Sequence, residues 1–269
     1  MNAPDKIFLP DIQSTPDTRQ LAIQQVGVKG LRYPLLLRTP AGERATVAEF
    51  AMTVALPPEV KGTHMSRFVE ILERPRAALA PADFLAVLGD TLVRLDARSG
   101  RIEARFPYFI EKRAPVSGVA SLLDYDVAIV AEQLPDAAPR LTLEITAAAT
   151  SLCPCSKKIS AYGAHNQRSH LTLRAQLRPG QEDRLSIEAL VRLAEEEASC
   201  EVFGLLKRPD EKWVTERAYD NPKFVEDLVR DIALRLMAEP AVAAWTVASE
   251  NFESIHNHSA YAELHGVNA

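Results

Sequence analysis

Polar and apolar positions change period along the chain in a repeating order. Gln24 to Leu37 is apolar-rich and stops at the turn signal Thr39-Pro40-Ala41-Gly42. Thr46 to Leu56 follows with Val47, Phe50, Met52 and Val54, which predicts a second strand and, with the first, a hairpin. Ser66 to Glu73 and Pro81 to Arg98 read as helices; in the second, Phe84, Leu85, Leu88, Leu92 and Leu95 fall near helical spacing, and Pro81 suits a first turn. Arg101 to Ile110 and Val119 to Ala131 return to strand character. The order then recurs. Arg140 to Ala149 and Ser169 to Leu177 predict strands, and Ser186 to Glu197 a helix with Ile187, Leu190, Val191 and Ala194 on one face. Asn221 and Pro222 predict the cap and first position of a further helix striped by Phe224, Val225, Leu228, Val229, Ile232 and Leu236. Val242 to Ser249 and Ala260 to Leu264 predict the last strands.

Two tandem ββααββ units are therefore expected, an α+β architecture of antiparallel sheets with helices on one face. The predicted boundaries are a flexible arm over 1–20, a first unit over 21–135 and a second over 136–269. A single irregular α+β domain is the alternative. The arm carries Pro4, Pro10 and Pro16 and lacks the basic-then-apolar layout of a signal peptide. No apolar run approaches the roughly 20 residues that span a bilayer. Both points lead to an expectation of a cytoplasmic protein without a membrane partner. The formal net charge of -5 gives no global attraction to nucleic acid, so an anionic small molecule would need a local basic pocket.

Chemistry concentrates in four stretches. In TSLCPCSKKISAYGAHNQRSH, from Thr150 to His170, Cys153 and Cys155 flank Pro154 and His165 lies ten residues beyond the second cysteine. Thiolate and imidazole suit zinc-like ions. In extended chain two cysteines one residue apart point oppositely, which favours one as ligand and the other as a neighbour. With only three cysteines, the third being Cys200, a disulfide framework is not expected. Packed small side chains with a satisfied histidine are the plain alternative. In LKRPDEKW, Asp210 and Glu211 follow Pro209 in an expected loop, where a carboxylate could complete a metal site; Glu226 reads as solvated helix face. In SENFESIHNHSAY, Glu253, His256 and His258 fall in an expected strand-to-strand turn, a pairing able to move protons, or else a polar surface turn. In KGTHMSRF, Lys61, His64 and Arg67 form a basic group beside a helix that Thr63 or Ser66 could cap, suited to a polyphosphate or to nothing more than a capped helix. Neither a P-loop nor a dinucleotide fingerprint is present.

With these residues in hand, the sequence resembles the type IB GTP cyclohydrolases. The motifs are KGTHMSRF at Lys61, APVSG at Ala114, SLLDYDV at Ser121, SLCPCSK at Ser151, YGAHNQRSH at Tyr162, GLLKRPDEK at Gly204, NPKFVED at Asn221 and ENFESIHNHSAY at Glu250. The resemblance implies the tunnelling fold, with two fused units per subunit and a homotetramer whose active sites lie at subunit interfaces. It implies hydrolysis of GTP to 7,8-dihydroneopterin triphosphate and formate, the entry to folate and related pterins. Motif by motif, it implies Cys153, His165 and Glu211 as ligands of manganese or zinc, with iron a third candidate. Cys155 would be a nearby non-ligand thiol, Glu226 the anchor for the guanine, and Glu253, His256 and His258 the remainder of the catalytic pocket, with His256 moving protons. Lys61, His64, Arg67 and Arg168 would face the triphosphate. Rival readings are a nitrile reductase of the same superfamily, a relative that stops at a cyclic phosphate, and a non-catalytic metal- or purine-binding protein.

Overall fold

The computed structural model describes residues 13, 15–74 and 77–269. Most of the expected arm, 1–12 and residue 14, lies outside them. The rest of it is pinned: Pro16 bridges Val60, and the Asp17 amide donates to the Glu59 carbonyl at 2.9 Å.

The first unit runs β1 (Ile23–Thr39), β2 (Gly42–Leu56), α1 (Ser66–Glu73), α2 (Asp83–Leu95), β3 (Gly100–Arg113) and β4 (Ala120–Gln133). The second runs β5 (Arg140–Leu152), α3 (Pro154–Ile159), β6 (Asn166–Leu177), α4 (Ile187–Glu197), β7 (Cys200–Glu201), α5 (Arg208–Asp220), α6 (Val225–Met237), β8 (Val242–Asn251) and β9 (Ala260–Val267). Among the described residues the strands join in the order β1-β2-β3-β4-β5-β6-β8-β9, every pair antiparallel, with the short β7 paired to β5. The sheet is continuous because β4 and β5 pair from Asp126↔Thr146 to Glu132↔Arg140. The boundary read at 135 falls in the turn between them, where Asp136 adopts a positive φ of 57°. Both units share one sheet and one hydrophobic cluster.

Period-2 alternation sorts the two faces. Ile102, Ala104, Phe106 and Tyr108 of β3, with Leu141, Leu143, Ile145, Ala147 and Ala149 of β5, are buried beneath the helices. The α2 residues Phe84, Leu88 and Leu92 and the α6 residues Leu228, Ile232 and Leu236 come down on that face. On the opposite face the intervening residues form a charge ladder. Arg101 reaches Glu103 at 2.6 Å, Arg105 bonds both Glu103 and Glu144 (2.9 Å to Glu144), and Arg174 bonds Glu144. Helices cover only one side, and the other is solvated.

Three local expectations are corrected. Asp210 and Glu211 are not in a loop: they occupy the first turn of α5, where the Asp210 carboxylate accepts the Lys207 amide at 2.9 Å. Asn221 does not cap α6; it ends α5, its side chain donating to the Ala198 carbonyl at 2.8 Å. The α6 start lies three residues later, where Asp227 accepts the Phe224 amide at 3.0 Å. Neither Thr63 nor Ser66 caps α1 through its side chain.

Candidate functional site

The end of the sheet where β5 and β8 finish and β6 begins collects two of the four chemical stretches. Cys153 sits just past β5, at the N-terminus of α3, and its sulfur accepts the Ser156 amide at 3.4 Å. The short helix overturns the extended-chain picture of the two cysteines: Cys153 keeps extended backbone, but Cys155 belongs to a helical turn and is exposed. Pro154 favours this start because its missing N–H is not needed there. The Cys153 amide donates to the His165 carbonyl at 3.1 Å, and Ser156 Oγ accepts the His165 amide at 3.2 Å. Backbone and Ser156 thus hold Cys153 and His165 as neighbours across the chain between them.

The β8–β9 turn closes on the same point. Ser254 Oγ lies 3.3 Å from His165 Nδ1, and the Phe252 amide donates to the Arg168 carbonyl at 2.9 Å. Within that turn Glu253 Oε2 is 3.2 Å from His256 Nδ1, and the rings of His256 and His258 stack with centroids 5.2 Å apart. Arg168 stands exposed on β6 beside this turn. Lys157 is occupied, its ammonium bonding the Tyr219 carbonyl and lying over that residue's ring.

α5 is anchored to the first unit. Asp210 is fully buried and accepts from the Val116 amide (2.8 Å), the Ser117 amide (2.8 Å) and the Ser117 hydroxyl (2.6 Å) as well as from Lys207. Burial opposes ionisation, but these donors outweigh it and hold the carboxyl well below the usual carboxylate range. All its lone pairs are engaged, so Asp210 is a clamp and its neighbour Glu211, exposed on the same turn, is the carboxylate available to a ligand. Gly204 lies on the first unit as well: a Cβ there would stand 2.8 Å from the Leu122 carbonyl oxygen. Glu226 is exposed in the first turn of α6, and the Lys223 amide just before that helix donates to the Leu152 carbonyl at 3.1 Å, at the foot of the same site. Lys61, His64 and Arg67 belong to the first unit, where Gln13 bonds His64 and the Thr63 carbonyl and Arg67 reaches the Arg94 carbonyl at 3.4 Å.

A divalent ion suits part of this arrangement. Thiol and imidazole are borderline-soft donors, and the backbones that carry Cys153 and His165 are hydrogen-bonded to each other. Among the described residues no three His, Cys, Asp or Glu side chains gather around one point, so the single chain does not by itself assemble Cys153, His165 and Glu211. Cys200 is elsewhere and inert: it is buried, and burial pushes its thiol up to about 11.

Sequence reasoning missed a set of buried polar residues under His165. Ser151, Gln167 and Ser169 take core-facing positions on β5 and β6, and Ser249 and Asn251 continue the patch on β8, where the Ser249 hydroxyl donates to Asn251 at 3.0 Å. Their alternation was readable; hydroxyls and amides in slots that elsewhere hold Leu or Ala were the signal.

Fold and site define an antiparallel tunnelling-fold protein that gathers cysteine- and histidine-bearing segments at one end of its sheet. The fold is shared with a uricase from Arthrobacter globiformis, at a TM-score of 0.51 and 12% identity, covering 91% of this chain and 93% of that one, and with a urate oxidase mutant from Bacillus sp. TB-90, also at 0.51 and 9% identity, covering 91% and 100%. A model of the type I GTP cyclohydrolase folE2 family matches residues 9–262. GTP cyclohydrolase FolE2 1 of Dechloromonas aromatica (strain RCB) is 71% identical over the whole of both chains, and GTP cyclohydrolase FolE2 2 of Cupriavidus metallidurans is 65% identical over 95% of this chain and 94% of its own. The chain belongs to the FolE2 family of type I GTP cyclohydrolases.

Proposed function

We propose that the protein is a GTP cyclohydrolase I, converting GTP and water to 7,8-dihydroneopterin triphosphate and formate at the head of folate and pterin synthesis. The observation that carries this reading is spatial. SLCPCSK, YGAHNQRSH and ENFESIHNHSAY, far apart in the chain, converge at one end of the sheet through the Cys153–His165 and Ser254–His165 contacts, in a chain 71% identical to a FolE2 relative over its full length.

Cys153 and His165 would hold a divalent ion, manganese, zinc or iron, with Glu211 as the third donor once the subunits assemble. Such an ion, when bound, lowers the pKa of water and makes a nucleophile available at neutral pH. The chain's own residues supply the rest. Glu226, exposed and charged at a helix start, accepts hydrogen bonds from guanine N–H groups. Glu253 bonds His256 at Nδ1, which orients Nε2 to deliver a proton to a purine ring nitrogen as the bond from C8 breaks. His258, stacked on His256, restricts that ring, and Cys155 stands near as an unligated thiol. C8 leaves as formate, and the ribose carbons close onto the freed diamine. Arg168, with Lys61, His64 and Arg67, would meet the triphosphate; the latter three, in the first unit, fit a pocket shared between subunits.

A homotetramer with interfacial active sites agrees with the surface. Ile159, Tyr162, Phe252 and Ile255 are exposed apolar residues around the site, and such patches mark association surfaces. β1 and β9 leave open sheet edges available for pairing. Among the described residues no helix is long and apolar enough to cross a membrane; with the biosynthetic role proposed, this fits a cytoplasmic location.

The test is protein stripped with chelator, reloaded with manganese and given GTP, with formate and fluorescent oxidised pterin measured. Release of both is expected. Cys153→Ala and Glu211→Ala should lose metal loading and at least about 100-fold of the activity. A reloaded wild type that consumes no GTP would overturn the proposal, and NADPH consumption with a nitrile would replace it with a reductase.

A further inference from the structure

The polar patch beneath His165 is built in a definite order from residues inside SLCPCSK and YGAHNQRSH to which the proposed function gives no role. Ser151 and Gln167 are cross-strand partners in the β5–β6 register, and Ser169 lies two residues from Gln167 on the same face. Ser151 and Ser169 are completely buried and Gln167 is 8% exposed. A buried hydroxyl or amide that forgoes an apolar slot costs stability unless each polar atom is paired. Here the pairing runs in one direction. The Ser169 hydroxyl donates to Ser151 Oγ at 2.8 Å, the Gln167 amide nitrogen donates to the same oxygen at 3.1 Å, and Gln167 Oε1 lies 3.0 Å from His165 Nδ1.

We propose that Gln167 is a positioning residue that sets the tautomer and ring orientation of His165, and that the buried Ser151–Ser169 pair sets Gln167. Ser151 takes the N–H end of the amide, so the carbonyl end faces the imidazole. A carbonyl oxygen only accepts, so the proton of the neutral ring sits on Nδ1 and Nε2 keeps its lone pair. The Ser254 hydroxyl, 3.3 Å from the same Nδ1, can share that proton. Imidazoles that bind metal through one nitrogen commonly donate the other N–H to such an acceptor, which fixes the ring and raises its basicity. This chain places an amide in that role, with two serines behind it. The inference rests on the reading of His165 as a metal ligand, and its tautomer part can be measured without metal.

The experiment uses the full-length protein labelled with 15N-histidine and stripped of metal, with the His165 resonances assigned by difference against His165→Ala. The expected result is the Nδ1–H tautomer for His165 in the wild type and loss of that preference in Gln167→Met. In competition with a chromophoric chelator, Gln167→Met should bind zinc about 10- to 100-fold more weakly, and manganese-loaded enzyme should lose kcat with little change in KM. Gln167→Glu keeps an acceptor at the same place and should restore both tautomer and affinity, which a purely structural role would not produce. Ser151→Ala should weaken the preference without abolishing it. A wild-type Nε2–H tautomer, or a folded Gln167→Met with unchanged zinc affinity, would overturn the proposal. Unchanged zinc affinity in His165→Ala would instead sink the ligand reading of the site.

Discussion

Three cysteines with similar sequence prospects end in different chemical states, and the surroundings of each decide which. Cys153 joins β5 to α3 and takes an amide N–H on its sulfur. Cys155, two residues on, is turned into solvent by the first turn of that helix. Cys200 is buried beside the carboxylates of Glu195 and Glu201, and burial first, then the nearby Glu201 charge, disfavours its thiolate. Brief iodoacetamide treatment of folded, metal-loaded protein at neutral pH should therefore modify Cys155 first and leave Cys200 untouched until denaturant is added. Peptide mass mapping reads this directly, and labelling of Cys200 in native protein would contradict its placement. Glu226 teaches the complementary lesson. A glutamate on an exposed helical turn looks the same in sequence whether it faces bulk water or a substrate, and the proposal that Glu226 does the second rests on the resemblance of NPKFVED alone.

At the scale of the element, α5 shows how a local signal can be right in kind and wrong in place. Arg208-Pro209 is a good helix start, since Pro is favoured in the first turn and the following Asp210 and Glu211 complement the helix dipole. The loop expected after Pro209 is a helix whose residues beyond the first turn are largely exposed, so it has no apolar stripe to announce it. What stabilises α5 instead is Asp210, which ties it to the 114–119 loop of the first unit. Asp210→Ala leaves the Val116 and Ser117 amides without their acceptor. The melting temperature should drop on the order of 5 °C, and limited proteolysis should cut within 114–119. Manganese loading should fall too, because the turn that carries Glu211 loses its anchor. An unchanged melting curve would show that the clamp contributes nothing.

The two units hold together as one molecule through a buried ion cluster as well as through the continuous sheet. Lys112 of β3 bonds Glu195 of α4 at 2.7 Å and also Glu201 of β7, and lies over the Phe203 ring. Tyr125 of β4 donates to the same Glu195 oxygen at 2.7 Å. Burial raises the Glu195 carboxyl above its ordinary value while Lys112 pulls it down. Lys112→Met removes the cation and strands two carboxylates, so unfolding free energy from urea titration should fall by about 3 kcal/mol. The double change Lys112→Met with Glu195→Gln should recover part of that loss, because a neutral amide tolerates the site better than an unpaired carboxylate. Equal loss in the single and double variants would argue against the cluster as the seam between units.

The sequence by itself determined the order of the long strands and of α1, α2, α4 and α6, the antiparallel α+β class and the family, because alternation of period 2 and stripes of period 3.6 are local properties and the motifs are contiguous; α3, β7 and α5, short or without an apolar stripe, were not legible. It pointed to SLCPCSK, YGAHNQRSH, GLLKRPDEK and ENFESIHNHSAY as the stretches that could carry chemistry. Tertiary structure alone decided which of these meet. Pairing of β4 with β5 merged two units into one sheet, the ends of β5, β6 and β8 brought Cys153, His165 and Ser254 together, and the packing of α5 made Asp210 a clamp. The Ser254–His165 and Asp210–Ser117 contacts link residues 89 and 93 positions apart, and no pattern of neighbours along a chain encodes which distant partner will satisfy a buried polar atom.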